Sequence, residues 1–484
     1  MAPVKDQALS TPVEKSMVLE LAIEKLAFGG KALGRVEGFV VFVEHAVPGQ
    51  KVRVQVTRKR AHFAEAKVVQ VLAQSPSSVQ PFCPHFGLCG GCQWQDVPYE
   101  EQLFWKRSHL EECFKHLAGL RPGAILPTTP SPQQQYYRNK MEFTFAPRPW
   151  LPVAERGAGN LAKSDGCALG LHVAASNEGI FNLTECFLQS VQTPAMVREV
   201  RDWCRTSGLA TYNPKTQRGF WRFLVLREGK ETGQSLVQII TTDQGDAAAV
   251  AALANHLRER FPDITTLVHS RRRKKAQVAV GEVSRTLWGP GYIEEHIGGL
   301  ILRVSAHSFL QINTLAAASL YSAVSRLGEF TGKETVWDLY CGAGSLGLAL
   351  ASQVRRVVGF ELDRQAVADA FENSRLNNLT NCHFLAGDLK ERIQETLRTG
   401  SQPRPEVVIT DPPRSGLHPQ VVQALKELAP RRLIYVSCNP ATLARDLALL
   451  KERYEVVTVQ SFDLFPHTPH IEGVVRLEKR SGAR

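Results

Sequence analysis

From about residue 301 onward, apolar stretches ending at Tyr340, Glu361, Asp388, Asp411 and Cys438 alternate with helical ones such as Arg364 to Leu376. Such regular alternation predicts a parallel sheet covered by helices, a Rossmann-like α/β domain. Ligands of open α/β sheets bind outside the carboxyl ends of the strands. The residues closing these strands are therefore expected to share one crevice, and an acid-rich crevice that also holds a cysteine marks an enzyme.

The first strand runs into Asp338-Leu-Tyr-Cys-Gly342-Ala-Gly344-Ser-Leu-Gly347. Its G-x-G-x-x-G spacing, after a strand and before a helix, suits close backbone approach to a nucleotide-like ligand. Glu361 closes the next strand, where an acidic side chain takes ribose hydroxyls. Asp388 closes the third and can accept from an adenine amino group. Ribose and adenine without a pyrophosphate suit S-adenosylmethionine. Each acid taken singly also reads as a helix N-cap.

Tyr435-Val-Ser-Cys438-Asn-Pro-Ala441 delivers a cysteine into a tight turn, and Val408-Ile-Thr-Asp411-Pro-Pro-Arg414 delivers an aspartate beside it. Carbon 5 of uracil is a poor nucleophile until a thiolate adds at carbon 6. An enzyme using that route needs a strand-end cysteine, a group for the pyrimidine edge and a base for the carbon-5 proton. Cys438 meets the first need, and the amide N–H groups of its turn are expected to favour thiolate. Glu472, in His467-Thr-Pro-His470-Ile-Glu472, is the candidate base. Cys341 and Cys382 read as small core residues.

Cys83-Pro-His-Phe-Gly-Leu-Cys89-Gly-Gly-Cys92 gathers three thiols in a glycine-containing loop, with Cys113, Cys167 or Cys186 as a fourth. On spacing, zinc and an iron–sulfur cluster fit equally. Residues 18 to 73 read as short strands of a small barrel, with Arg58, Lys59 and Arg60 at one turn. Mixed strands follow, with a Gly-rich surface insertion from Pro152 to Gly166 and a second basic run, Arg271-Arg-Arg-Lys-Lys275. The 484 residues carry a net charge of +11 and no apolar run of membrane-spanning length. That balance favours RNA or DNA as partner over a membrane. Met1 to Met17 has no signal-peptide pattern, so a cytoplasmic location is expected, and no obligate protein partner is predicted.

The motifs Asp411-Pro-Pro-Arg414, Val436-Ser-Cys438-Asn-Pro440 and His470-Ile-Glu472 resemble those of the RNA uracil-5-methyltransferases. Ser308-Phe-Leu-Gln311-Ile-Asn313 resembles the motif that opens the family's methyltransferase domain, and residues 13 to 73 resemble its TRAM domain. The resemblance implies Cys438 as nucleophile and Glu472 as base, with S-adenosylmethionine held by Gln311, Tyr340, Ser345, Glu361, Asp388 and Asp411. Leu310 and Ser345 stand where the family often has an aromatic and an Asn or Thr. The C-x5-C-G-G-C pattern resembles cluster-bearing members, implying a [4Fe–4S] cluster on Cys83, Cys89, Cys92 and Cys186. Such members with a TRAM domain are typically the 23S ribosomal RNA enzymes, RlmD-type, which methylate uracil 1939. The implied layout is a TRAM barrel over 13–73, a cluster-bearing β-rich domain over 74–300 and a class I methyltransferase domain over 301–484. Residues 93–124 are expected to pack as a helix on the last. The rival readings are a nucleobase or protein N-methyltransferase, a non-catalytic iron–sulfur RNA-binding protein and a nicotinamide dehydrogenase. Arg414 after Asp-Pro-Pro, paired with Cys438, argues against the first, an intact Cys438 and Glu472 against the second, and the cysteine strand against the third.

Overall fold

The computed structural model describes residues 12–151, 166–174, 176 and 178–482, in two compact units. The proposed insertion at Pro152–Gly166 lies outside them except for Gly166.

The first unit comprises residues up to 87, with 92–109 and 467–469. Its sheet runs in the order Val18–Ala22, Lys51–Lys59, Phe63–Ala73, Phe39–Glu44, Ala32–Val36, Lys25–Leu26. Alternating burial along Val18–Ala22 and Lys51–Lys59 turns one face of each strand inward, as the period of two requires. Gly34 shows that the sheet closes on itself. A Cβ there would sit 2.4 Å from the Ala22 carbonyl oxygen, although three strands separate the two in sheet order. That glycine also weakens the strand signal of Ala32–Val36, which the sequence pattern passed over. Trp94 and Val97 complete the barrel's core, and His109 Nε2 lies 2.9 Å from the Leu26 carbonyl.

The second unit holds residues 88–91, 110–466 and 470–484. A seven-stranded sheet runs Ile180–Asn182, Ala168–His172, Lys140–Ala146, Trp221–Glu228, Ser235–Thr241, Thr266–Arg271, Val283–Trp288. All its pairs are antiparallel except Ser235–Thr241 with Thr266–Arg271, which are joined through the helix Ala247–Arg260.

An eight-stranded sheet follows, in the order Cys382–Ala386, Arg356–Glu361, Thr335–Leu339, Val407–Thr410, Arg432–Ser437, Glu472–Lys479, Tyr454–Phe462, Ala124–Ile125. The first five are parallel, and Glu472–Lys479 runs antiparallel to both its neighbours. The parallel strands are buried on both faces, hence their continuous apolar runs. Val336, Ile409 and Ile434 pack in one layer, and Trp337, Val408 and Leu433 in the other. Cys341 and Cys382 are small residues of the first layer, as expected. The helix Arg364–Leu376 has the bounds its sequence predicts. In the helix Tyr99–Cys113, residues through His109 belong with the barrel, while Leu110 and, just beyond it, Phe114 enter the core of the larger sheet. Among the described residues no helix is long and apolar enough to cross a membrane.

Candidate active site

Sheet order reverses between Thr335–Leu339 and Val407–Thr410, whose outer neighbours are Arg356–Glu361 and Arg432–Ser437. The crevice at such a switch point is where a ligand fits. A cavity of about 660 Å³ opens there, within the range of small-molecule and cofactor sites. Gln311, Tyr340, Glu361, Asp388, Asp411, Cys438 and Glu472 all line it. Ser345 does not line the cavity; its Oγ accepts a hydrogen bond from the Tyr321 hydroxyl at 2.9 Å.

The glycine turn is held by acids at both ends. Asp338 Oδ2 accepts from Gly347 N at 2.9 Å, and Glu361 Oε2 accepts from Gly342 N at 3.0 Å. Tyr340, Gly342 and Gly344 all have positive φ, at 64°, 55° and 83°. For Tyr340 that left-handed backbone costs on the order of 1–3 kcal/mol. Gly344 escapes that strain, and a Cβ there would press to 3.1 Å from Ala370 Cβ. Asp388 is both N-cap and cavity wall. Its carboxylate accepts from Lys390 N at 3.0 Å and pairs with Lys390 Nζ at 3.0 Å. These bonds hold it below the usual carboxylate range.

Register brings the cysteine and the glutamate together. Ser437 pairs with Gly473 in the last rung of the antiparallel ladder. Cys438 and Glu472 are the next residues along the two chains, both line the cavity, and the Glu472 charge acts on the thiol. The cysteine turn is rigid: Asn439 caps the helix Pro440–Leu450, and its Nδ2 donates to the Arg414 carbonyl at 3.0 Å. Tyr435 donates to buried Asp446 at 2.7 Å, and Asp446 accepts from Leu417 N at 2.7 Å. The loops carrying Asp411 and Cys438 are thus tied by bonds that share no catalytic group.

Burial and mutual repulsion set the protonation states. Asp411 is pushed up to about 6 by burial, with the Gln311 amide, 3.3 Å from its Oδ2, pulling the other way. Burial and the Asp411 charge push Glu472 well above the ordinary carboxylate range. Its Oε2 has no hydrogen-bond partner among the described residues. The turn amide does favour a Cys438 thiolate, as expected, but it is outweighed. Burial first, then Glu472 and Asp411, push the thiol up to about 11, outweighing Arg414 and the backbone amide. Asp338, buried beneath the site, is pushed up to about 8 by burial and by Asp411.

Sequence reasoning missed Phe309, Leu362, Lys390, His418 and Phe465 on the cavity wall. Phe309 is 64% and Leu362 68% exposed. Exposed apolar residues in a polar-flanked loop were the available signal.

Of the cluster cysteines, Cys83 and Cys92 belong to the first unit, Cys89 and Cys186 to the second. All four are half-buried, whereas Cys113, Cys167 and Cys204 are buried. Among the described residues no group of three or more His, Cys, Asp or Glu side chains is gathered to hold a metal ion.

Five parallel strands in this order with an antiparallel strand inserted beyond them, and a glycine turn and strand-end acids around one cavity, give the fold of a class I methyltransferase. The family model described as tRNA (Uracil-5-)-methyltransferase matches residues 235–480, and the TRAM domain model matches residues 12–69. A protein of Nitratidesulfovibrio vulgaris described as an uncharacterized RNA methyltransferase is 41% identical over 96% of each chain. A Chlorobaculum tepidum protein described in the same words is 36% identical, over 97% of this chain and all of its own. The solved tRNA (uracil-54, C5)-methyltransferase of Pyrococcus abyssi, in complex with S-adenosyl-L-homocysteine, is 26% identical with a TM-score of 0.70. It covers 95% of this chain and all of its own. The chain belongs to the RNA uracil-5-methyltransferase family, with a TRAM domain at its amino-terminal end. It is an S-adenosylmethionine-dependent RNA methyltransferase.

Proposed function

We propose that the enzyme methylates carbon 5 of one uracil in 23S ribosomal RNA, uracil 1939, through a covalent bond to Cys438. The observation that supports the chemistry is that Cys438 and Glu472, next beyond the Ser437–Gly473 rung, both line one acid-rich cavity. The C-x5-C-G-G-C pattern together with a TRAM domain supports the ribosomal substrate.

S-adenosylmethionine, when bound, supplies an electrophilic methyl group on a sulfonium. The residues present fit it. Glu361 and Asp388 offer carboxylates for ribose and adenine, Gly342 leaves the wall open to backbone approach, and Asp411 faces a ligand of positive charge. Cys438, once its proton has passed to solvent, bonds through Sγ to uracil carbon 6. The ring's C5=C6 electron pair moves onto the C4 carbonyl, where Arg414 is the nearby cation. Carbon 5 then bonds to the methyl carbon as the methyl–sulfur bond breaks. Glu472, once its own proton has passed to solvent, takes the carbon-5 proton as carboxylate, C5=C6 re-forms and Sγ leaves as thiolate. That Glu472 Oε2 has no hydrogen-bond partner among the described residues supports this role.

The purified protein with methyl-labelled cofactor is expected to label 23S rRNA transcripts at one uracil, leaving tRNA transcripts unlabelled. The Pyrococcus protein acts, by its name, on tRNA, so both RNAs belong in one assay. Label confined to tRNA would overturn the ribosomal assignment.

The [4Fe–4S] cluster on Cys83, Cys89, Cys92 and Cys186 is part of this reading. The donor set fits: four thiols, none fully buried, are soft ligands for iron. Cys89 Sγ already accepts a hydrogen bond from Gly91 N at 3.3 Å, the kind of bond that tunes cluster thiolates. Cys113 and Cys167, the alternative fourth ligands, are pushed up to about 11, chiefly by burial. The cluster would supply iron–thiolate cross-links; no step of methyl transfer is assigned to it. Anaerobically purified protein is expected to be brown with stoichiometric iron and sulfide, and Cys186→Ser to lose both. Stoichiometric zinc without iron would refute the assignment.

The barrel is proposed to anchor RNA through Arg58, Lys59 and Arg60, all exposed where the strand Lys51–Lys59 turns toward Phe63. Because Trp94 and Val97 complete its core, deleting residues 1–73 would bare them. Changing the three cations to Gln in the full chain is the cleaner test. RNA affinity is expected to fall and the slope of log K against log salt to flatten by about 0.7–0.9 for each phosphate no longer neutralised. Cofactor affinity should be unchanged. An unaltered RNA affinity and slope would remove the barrel from the interface.

A further inference from the structure

The second basic run lies in the loop between Thr266–Arg271 and Val283–Trp288, the last strand of the seven-stranded sheet. Five cations in a row would repel one another in a mobile loop. Here the loop is fixed from inside. Arg222, only 1% exposed, donates to the carbonyls of Arg272, Lys274 and Ala276 at 3.2, 2.9 and 3.2 Å. Arg272 is buried too and donates to the carbonyls of Ala276 and Val280 at 3.0 and 2.7 Å. Glu282 accepts from the backbone amides of Arg273 and Lys274 at 3.2 and 3.1 Å. Two buried guanidiniums thus serve to order one surface loop, an arrangement a merely solvated charge run does not need.

What the loop presents outward is cationic. Arg271, Arg273, Lys274 and Lys275 are exposed, and Arg285 is exposed on the adjoining strand. Asp243 pairs with Arg271 and Arg273, and Glu282 lies beside them. The two carboxylates leave a net positive patch in which Lys274 and Lys275 have no ion-pair partner among the described residues. The patch is linked to the active site. Ser284, second in the adjoining strand, lies 2.6 Å through Oγ from His307 Nε2. Two residues beyond His307, Phe309 lines the cavity.

We propose that the Arg271–Lys275 loop, strapped by Arg222, is a preformed dock for the phosphate backbone of the RNA strand leading to or from the target uracil. A preordered cationic loop binds phosphates without an entropic cost of ordering itself, and phosphate contacts position a strand without reading its sequence. The inference rests on RNA being the substrate and adds the surface that holds it on the central sheet.

The test uses full-length protein with Arg273→Gln, Lys274→Gln and Lys275→Gln combined. A control removes equal charge at Lys333, Arg375 and Arg398, which are exposed near the opposite ends of the strands from the cavity. The loop variant is expected to raise KM for RNA at least about tenfold and to flatten the salt slope by about 0.7–0.9 for each phosphate left unneutralised. Its kcat at saturating RNA and its cofactor affinity should stay at wild-type levels. The control should keep the wild-type KM and slope. A loop variant with wild-type KM and slope, or a control that loses as much, overturns the dock. A wild-type protein that methylates no RNA would instead defeat the reading of function on which the dock rests.

Discussion

Cys438→Ala is expected to bind RNA and S-adenosylmethionine like the wild type while losing methyl transfer by a factor on the order of 10⁴ or more, as when an essential nucleophile is removed. Cys438 lines the cavity without serving its framework: the ties between the two loops run through Asn439, Tyr435 and Asp446. The fold should therefore survive, which circular dichroism and cofactor binding will show. The thiol's elevated value adds a pH signature. Only thiolate reacts with iodoacetamide, so alkylation of Cys438, read by peptide mass spectrometry, should climb about tenfold per pH unit across the neutral and mildly alkaline range toward about 11. Asp411→Asn, which removes one of the charges raising it, should shift that climb to lower pH. Retained turnover in Cys438→Ala would end the covalent mechanism. Alkylation that is fast and flat from pH 6 upward would show a resting thiolate.

Glu472→Gln should fail at a later point. Addition and methylation need Cys438, but release needs a base for the carbon-5 proton. The variant should methylate once and accumulate a protein–RNA adduct that survives denaturing gels, with steady turnover down by about 10²–10⁴. RNA carrying 5-fluorouridine at the target should trap wild type in the same way, because fluorine cannot leave as a proton does. The substitution should also stabilise the fold in a pH-dependent manner. Glu472 has a folded-state value raised well above its ordinary 4.5 by burial and by Asp411. Such a group gives its full stability below the unfolded value and loses it as pH rises through the folded one. A neutral Gln escapes that loss, so its melting temperature should exceed wild type at pH 7 and converge with it near pH 4. Full turnover without an adduct, or no gain at pH 7, would show that Glu472 is neither the base nor a strained buried acid.

Much of the site was legible because strands have short-range signatures. Apolar runs bounded by Gly, Pro and Asp mark where a parallel strand ends, and ligands gather at strand ends. Glu361, Asp388, Asp411 and Cys438 could thus be placed in one crevice from sequence. Ser345 at the helix N-terminus was legible too, while the partner of its hydroxyl, Tyr321 on another helix, was not.

The sequence by itself determined the alternation of strands and helices, the glycine turn and the identity of the groups able to do the chemistry, all local properties of chain and side chain. Only the tertiary structure decided that Glu472–Lys479 runs antiparallel between two other strands, which is what brings the start of that strand, Glu472, to the cavity that Cys438 lines. Strand insertion depends on pairing between segments far apart in the chain, and no local pattern records it. Tertiary structure also outweighed the local preference of the thiol. Turn amides are local and pull its value down, but burial and the carboxylates of Asp411 and Glu472 arrive from other strands and outweigh them. Electrostatics sums over space rather than along the chain, so the sequence could name the charges but not the direction of their sum.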